Sequence, residues 1–210
     1  MKGRNPRKGN KGQDGARGVS SGYLTALKKG NVTQIMKHIR TGRVNPNFAD
    51  KMGMRAASAV ISKPNSARYL RELKERGATL NFKEPLSGMR LAHMAALSGD
   101  ISALKALKGL GVPIDQRSEG GLRPVDFIVA SSDMRLMNKM HELGIPFGRR
   151  NVLGKLPEHY AKAKHVKGFV RSLRTGRPES EANRLLRQRV DLAIGLRRDN
   201  SLRQRQSGNL

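Results

Sequence analysis

The sequence predicts an all-α fold, a solenoid of stacked helix-turn-helix units joined by short β-turn loops. Two series of glycines predict it, because both follow one common period; they are Gly88, Gly121 and Gly154, and Gly77, Gly111 and Gly144. Between the two series, apolar residues recur at about every third position, which is the buried stripe of a short helix. A fixed period of about 33 residues is typical of units that bury their apolar faces only by stacking.

Five units fit this period over about residues 19–176, with bounds at 19–49, 50–84, 85–117, 118–150 and 151–176. The apolar residues that predict helices in the first two units are Leu24, Leu27, Ile35 and Ile39, then Leu70 and Leu73. The second unit starts its repeat at Gly53 and is one or two residues longer than the others before Asn65. Irregular outer units are expected, because one face of a terminal unit meets water.

The three later units carry the clearest helix patterns. Each opens at a glycine of the first series with a short apolar segment, then continues into a second stripe. The second stripes are Ile101, Leu104, Leu107 and Leu110; Met134, Met137, Met140 and Leu143; and Val166, Phe169 and Val170. These stripes predict one helix pair in each unit.

The segment G-M-R-L-A-H-M-A-A-L-S-G-D from Gly88 resembles the ankyrin-repeat pattern G-x-T-P-L-H-x-A-A-x-x-G-H/N/D, and G-V-P-I-D from Gly111 resembles that family's G-A-D-V-N. The chain departs from the pattern where Arg-Leu or Arg-Pro replaces Thr-Pro in the middle units. The resemblance implies a recognition scaffold, with His93 and His159 bonded to backbone inside their repeats. It assigns structural roles to Gly53, Gly77, Gly88, His93, Gly99, Gly111, Gly121, Gly144, Gly154 and His159.

Composition points away from catalysis and from membrane insertion. The chain has no Cys, which excludes a disulfide framework and agrees with a reducing compartment, cytoplasmic or nuclear. No apolar run approaches the roughly 18 residues of a membrane span, and Lys2 stands where N-myristoylation needs glycine. The histidines and acids form no motif for metal binding or acid–base chemistry. We therefore expect no enzyme, no cofactor and no metal, and a monomer.

The formal net charge is +26, and most of it lies on the repeats. Residues 1–18 carry six Lys or Arg and one acid, and residues 177–210 carry eight and four, which leaves +17 for residues 19–176. A folded surface this basic attracts polyanions or acidic partners.

The termini differ from the repeats in composition. Residues 1–18, rich in Gly and basic residues, predict a disordered basic arm that is either a solubilising leader or a phosphate-binding segment. Residues 177–200 predict a C-terminal basic amphipathic helix, which either caps the stack or binds a membrane surface or partner groove. Residues 201–210 predict a flexible tail, with spaced arginines that would suit a nuclear or secretion address.

In ankyrin-repeat proteins, ligands meet the loop tips and the inner helices on the concave side. The spacing of the glycines transfers these binding positions from the family pattern to this sequence. Together with the arginines near the tips, the predicted binding residues are Met52, Met54, Arg55, Leu86, Met89, Arg90, Arg117, Leu122, Arg123, Arg149, Arg150, Leu153 and Lys155. Arg55, Arg90 and Arg123 share one repeat position, so stacking would align them as a ladder that grips carboxylates or phosphates. The alternatives are that the apolar tips pack on neighbouring tips, and that each guanidinium satisfies carbonyls of its own turn.

Three functions follow, in decreasing order of support. The first is a non-enzymatic protein–protein interaction module that binds an acidic, partly apolar partner on the concave face. The alternative is nucleic-acid binding through the basic surface and tails, without sequence-specific readout because aromatic platforms are missing. An adaptor at an anionic membrane is the weakest. By family analogy, the chain also suits a bacterial effector delivered into a host cell without a classical signal peptide.

Overall fold

The computed structural model describes residues 19–176; the predicted arm 1–18, helix 177–200 and tail 201–210 lie outside the described residues. Those residues form nine α-helices and one 3₁₀ helix, with no strand among them. In chain order they are α1 (Ser21–Lys29), α2 (Val32–Arg40), α3 (Ala56–Val60), α4 (Ser66–Glu75), α5 (Leu91–Leu97), α6 (Ile101–Gly109), α7 (Pro124–Ser131), α8 (Met134–Glu142), the 3₁₀ helix (Pro157–Tyr160) and α9 (Lys164–Thr175). The predicted all-α repeat architecture is confirmed.

Side-chain caps start the second helix of several pairs. Asn31 Oδ1 accepts a hydrogen bond from Gln34 N at 3.2 Å, and Asp133 Oδ1 accepts one from Leu136 N at 3.0 Å. Asp100 caps α6 in the same way, through Ala103 N at 2.9 Å. Each cap satisfies a backbone donor that the first helical turn leaves without a partner. The caps therefore fix where the second helices begin.

Helices stack on the corresponding helices of the next unit. In the middle of the stack α5 packs against α7, and α4 packs against α6; the 3₁₀ helix continues the first row and α9 packs against α8. We call α2, α4, α6, α8 and α9 the outer helices. The stripes predicted for them are largely buried, with Leu70, Leu104, Met137 and Val170 fully so. One apolar core therefore runs through the described units.

Two units depart from the regular pattern. Helix α3 has only five residues, and the loop after it contains left-handed residues at Ser62 (φ 66°) and Asn65 (φ 62°), where the sequence is longer. Asp100 Oδ2 accepts a hydrogen bond from Ser62 N at 3.1 Å, which ties this loop to the next unit. In the last unit the first helix is a single 3₁₀ turn, because the backbone is extended again from Ala161.

Candidate functional site

Four tight hairpins of one design precede α3, α5, α7 and the 3₁₀ helix. In each, the backbone N–H at the start donates to the carbonyl four or five residues later: Asp50 to Met54 (3.0 Å), Glu84 to Met89 (2.7 Å), Ser118 to Leu122 (2.8 Å) and Asn151 to Lys155 (3.0 Å). A left-handed glycine turns each tip: Gly53, Gly88, Gly121 and Gly154, with φ between 61° and 82°. Left-handed backbone is costly for other residues, so the glycine period specifies the hairpins.

Neighbouring hairpins lie in direct contact. A Cβ added to Gly53 would meet the ring of Pro85 in the next hairpin, and one added to Gly88 would meet the side chain of Glu119. Gly121 lies against Val152 in the same way. The amide of Glu119 also donates to the carbonyl of Gly88 at 3.0 Å. The four tips therefore form one continuous row along the stack.

Large apolar side chains project from this row into solvent. Leu86 is 74% exposed and Leu153 is 64% exposed. Leu97, which is 61% exposed, lies at the C-terminal end of α5 and not on a hairpin. We call the whole set the tip surface: Met52, Met54, Leu86, Leu97, Val152 and Leu153. The third hairpin interrupts the apolar row, because Ser118, Glu119 and Gly120 occupy its tip.

The other predicted tip residues are less accessible or are charged. Met89 and Leu122, one residue after their glycines, are half-buried, whereas Lys155 at the equivalent position is exposed. Lys51 and Lys155 are exposed on the first and last tips, and exposed Lys83 directly precedes the second hairpin. The tip surface is thus apolar with lysines along it.

The predicted arginine ladder occupies the residue before α3, α5 and α7, but its guanidinium groups have partners within the stack. Arg55 lies over the ring of Phe82, 4.4 Å from its centroid, and Arg90 Nη1 donates to Asn81 Oδ1 at 2.9 Å.

Arg123 is the most enclosed of the three, with its side chain 11% exposed. Its Nη1 donates to the carbonyl oxygen of Asp115 at 2.8 Å and to Oδ2 of Asp115 at 2.9 Å. These contacts favour a structural role for Arg123, because its charge is already met by Asp115, which precedes the third hairpin.

Arg117, Arg149 and Arg150 link the third and fourth hairpins from exposed positions. Arg149 Nη1 lies 2.9 Å from Asp115 Oδ2, so that this carboxylate is shared with Arg123. Arg117 Nη2 donates to the carbonyl of Arg150 at 3.2 Å, and Arg150 Nη1 donates to the carbonyl of Gly154 at 2.6 Å. The one ion pair among these contacts, Arg149–Asp115, is exposed at the arginine, and exposed ion pairs contribute little to stability.

His93 and Asp126 hold the same position in neighbouring units, each bonded to the backbone of the residue before its helix. His93 Nδ1 accepts from Arg90 N at 3.2 Å, and its Nε2 faces the carbonyl of Leu122 at 3.1 Å, across the repeat boundary. Asp126 Oδ2 accepts from Arg123 N at 2.9 Å. Burial lowers the pKa of His93 and raises the pKa of Asp126, because it disfavours the charged form of either group.

His159, at the corresponding position of the last unit, has Nδ1 3.1 Å from Leu156 N, and it is exposed. Within residues 19–176 no three His, Asp or Glu side chains are placed to hold a metal ion. No helix in that range has the length and hydrophobicity to cross a membrane.

A second surface, formed by the outer helices, was not among the predicted sites. Helices α3, α5 and α7 contain no Lys or Arg, whereas Lys37, Arg71 and Lys105 recur at one repeat position on α2, α4 and α6. The signal was present in the period. The net charge of whole segments hides it, whereas the charge at each repeat position reveals it.

Comparison with known proteins agrees with this architecture. No protein-family model matches the chain. Cyclin-dependent kinase 4 inhibitor B from Bos taurus, an ankyrin-repeat protein, is 30% identical over 109 residues, which cover 52% of this chain and 81% of that protein. This match, together with the helix pairs and glycine-tipped hairpins, shows that the chain belongs to the ankyrin-repeat family.

Proposed function

We propose that this protein is a non-enzymatic interaction module that binds an acidic, partly apolar protein partner on the tip surface. The observation that carries the proposal is the exposure of large apolar side chains along a row of stacked hairpins, above all Leu86 and Leu153. Exposed apolar patches on soluble proteins mark contact surfaces, and here the apolar tips form two groups, one on the first two hairpins and one on the fourth.

The composition of the tip surface is that of a protein interface. Two of its six side chains are methionines, Met52 and Met54, which are flexible and enriched at binding surfaces. The adjoining first helices α3, α5 and α7 contain no Lys or Arg, so a partner would meet little desolvation cost there. These features support apolar burial as the main source of affinity.

Three lysines support the acidic character of the partner. Lys51, Lys83 and Lys155 are exposed, and their ammonium groups have no hydrogen bond or ion pair to another described residue. Charges at the rim of an interface steer the partner and raise the rate of association. Arg149 and Arg150 add positive charge next to the fourth hairpin, which carries Lys155.

The bovine relative supports the proposal that the partner is a protein. Its name describes it as an inhibitor of cyclin-dependent kinase 4, so that protein acts on another protein. The monomeric state, the cytoplasmic or nuclear location and delivery into a host cell stay predictions.

The test is affinity capture from cell lysate, with and without nuclease treatment, using the full chain and the variant Met52→Glu/Leu86→Glu/Leu153→Glu. We expect the wild type to retain a discrete protein and the triple variant to lose it, because three buried carboxylates would oppose apolar contact. The matched control is Thr33→Glu/Gln34→Glu/Ser102→Glu, which adds the same charge at exposed sites of α2 and α6.

The control is expected to retain the same protein as the wild type. Equal loss in both variants would contradict a tip interface, since the loss would then follow net charge. Loss of all captured protein on nuclease treatment would also contradict a tip interface.

A further inference from the structure

The outer helices carry basic residues in register with the repeat. Lys37, Arg71 and Lys105 are separated by one repeat length each, and so are Arg40, Lys74 and Lys108 one turn later. Each member of the first row directly follows a buried core residue, Met36, Leu70 or Leu104. Because the core fixes the rotation of the helices, both rows point to solvent, and all six residues are exposed.

The three helices that carry these rows are neighbours. Helix α4 packs against α6, and Arg40 of α2 forks onto Glu72 of α4 with hydrogen bonds of 2.7 and 2.8 Å. Packed helices lie about 8–10 Å apart. Each row therefore places one cation on each of these three helices, and its members on α4 and α6 lie on helices that pack directly against each other.

The charged groups of five cations on α2, α4 and α6 make no hydrogen bond or ion pair to another described residue. They are Lys37, Arg68, Arg71, Lys74 and Lys105, which we call the outer basic patch. Arg40 is held by Glu72, and Lys108 Nζ donates to the carbonyl of Leu143 at 2.7 Å. The patch is concentrated on α4, between the other two helices.

Three acids lie beside the patch, and one of them, Glu142 of α8, interacts electrostatically with Lys105. Glu72 and Glu75 line a surface depression with Arg40, Arg68, Arg71 and Arg76. Glu72 is shared by Arg40 and Arg76, at 2.7 and 3.3 Å, and the hydrogen bond from Arg40 lowers its pKa. Four cations against two carboxylates leave the depression positively charged.

We propose that the outer basic patch binds the phosphate backbone of a nucleic-acid duplex, separately from the protein partner proposed for the tip surface. Cations repeated at the same position of successive helices suit a regularly charged rod, and phosphate contacts of this kind supply affinity without sequence readout. Arg71 and Arg68 can each fork onto phosphate oxygens, and the lysines add point charges.

The same face is poorly suited to other polyanionic partners. None of the exposed large apolar side chains lies on α2, α4 or α6, so the face offers nothing to insert into a membrane or to form the core of a protein interface. No Phe or Tyr among residues 19–176 is exposed, and Tyr69 of α4 is half-buried. Stacking of single-stranded bases on aromatic rings is therefore not available there.

The experiment measures fluorescence anisotropy of a labelled DNA duplex of about 20 base pairs against the full chain, over a series of salt concentrations, with an RNA duplex in parallel. The variant is Lys37→Gln/Arg71→Gln/Lys105→Gln. The charge-matched control is Lys28→Gln/Lys63→Gln/Lys83→Gln, which removes three exposed cations outside the outer helices. Thermal unfolding checks that both variants fold.

We expect the outer variant to bind about tenfold more weakly near 0.1 M salt, and its slope of log affinity against log salt to fall by about 2.7 in magnitude, since each lost phosphate contact contributes about 0.9. The control is expected to change much less. Equal weakening in both variants would overturn the proposal, because binding would then follow net charge or the termini. Absence of duplex binding by the wild type, or binding to anionic vesicles in its place, would also overturn it.

The outer variant also separates this proposal from the proposed function. Its captured protein is expected to be unchanged, because the substituted residues lie away from the tip surface. Failure of the tip surface to bind protein leaves the duplex measurement unaffected, and the reverse also holds.

Discussion

The tip surface and the outer basic patch come from the same repeat but carry opposite chemistry. Every exposed large apolar side chain among residues 19–176 belongs to a hairpin or to the end of α5, and none to α2, α4 or α6. Lysine and arginine are absent from α3, α5 and α7 and recur on α2, α4 and α6, while the hairpins add lysines at Lys51 and Lys155. The sequence of a repeat can thus vary the two surfaces independently, because its hairpin contributes to one surface and its second helix to the other.

The largest expected effect comes from comparing two leucines of the same unit. Leu104 of α6 is fully buried, whereas Leu97 of α5 is 61% exposed. We expect Leu104→Ala to lower the free energy of unfolding by about 2–5 kcal/mol, because it leaves a cavity in the stack. Leu97→Ala is expected to stay within about 0.5 kcal/mol.

Urea unfolding followed by circular dichroism measures both changes. A large loss for Leu97→Ala would show that this side chain packs within the fold, and would remove it from the tip surface.

A second comparison concerns two left-handed glycines. Gly88 (φ 61°) has Glu119 in contact, with the Cα of that residue 3.3 Å from an added Cβ, whereas Gly154 (φ 68°) has nothing within 4 Å. We expect Gly154→Ala to cost about 1–2 kcal/mol from backbone conformation alone. Gly88→Ala is expected to cost about 1–3 kcal/mol more, because the hairpins must move apart.

Thermal or urea unfolding checks this pair as well. Equal losses for the two variants would contradict close stacking of the second and third hairpins.

His93 predicts how stability depends on pH. Burial holds its folded-state pKa below the ordinary value of about 6.5, so the unfolded chain takes up a proton first as pH falls. The stability that His93 contributes is therefore complete above about pH 6.5 and is lost as pH falls toward the folded-state pKa.

Urea midpoints at about pH 7.5 and 5.5, for the wild type and for His93→Gln, measure this contribution. We expect the wild type to lose more stability over the interval than the variant, since the other histidines are common to both. A steeper loss in the variant would show that His93 is protonated in the folded protein.

The smallest expected effect is at Glu72 on the outer face. Its ion pairs with Arg40 and Arg76 are partly exposed, so Glu72→Gln should change the free energy of unfolding by no more than about 1 kcal/mol. The same change frees two arginines beside the patch and should tighten duplex binding. Urea unfolding and anisotropy on one protein preparation test both, and weaker duplex binding would contradict the assignment of this face.

Much of the fold was predictable because the repeat states the same pattern several times. Buried Leu70, Leu104 and Met137 were predicted from their stripes, and the four hairpin glycines from their period. The exposed tips at Met52, Leu86 and Leu153 were placed by the same period. The burial or exposure of a side chain is therefore predictable from sequence where it depends only on the position of the residue within the repeat.

Side chains whose contacts depend on nearby turns were harder to predict. Arg123 shares the repeat position of Arg55, but its partner Asp115 lies eight residues upstream, in a turn that differs from unit to unit. The 3₁₀ turn at Pro157–Tyr160 was likewise not visible in the pattern G-K-L-P-E-H-Y-A, which resembles the start of a full helix.

The division of the surface into two binding faces is tested most directly by lysine acetylation and mass spectrometry. The full chain is modified alone, with the DNA duplex, and with the protein captured on the tip surface. We predict that the duplex protects Lys37, Lys74 and Lys105, whereas the protein protects Lys51, Lys83 and Lys155. Protection of the same lysines by both ligands would contradict the division.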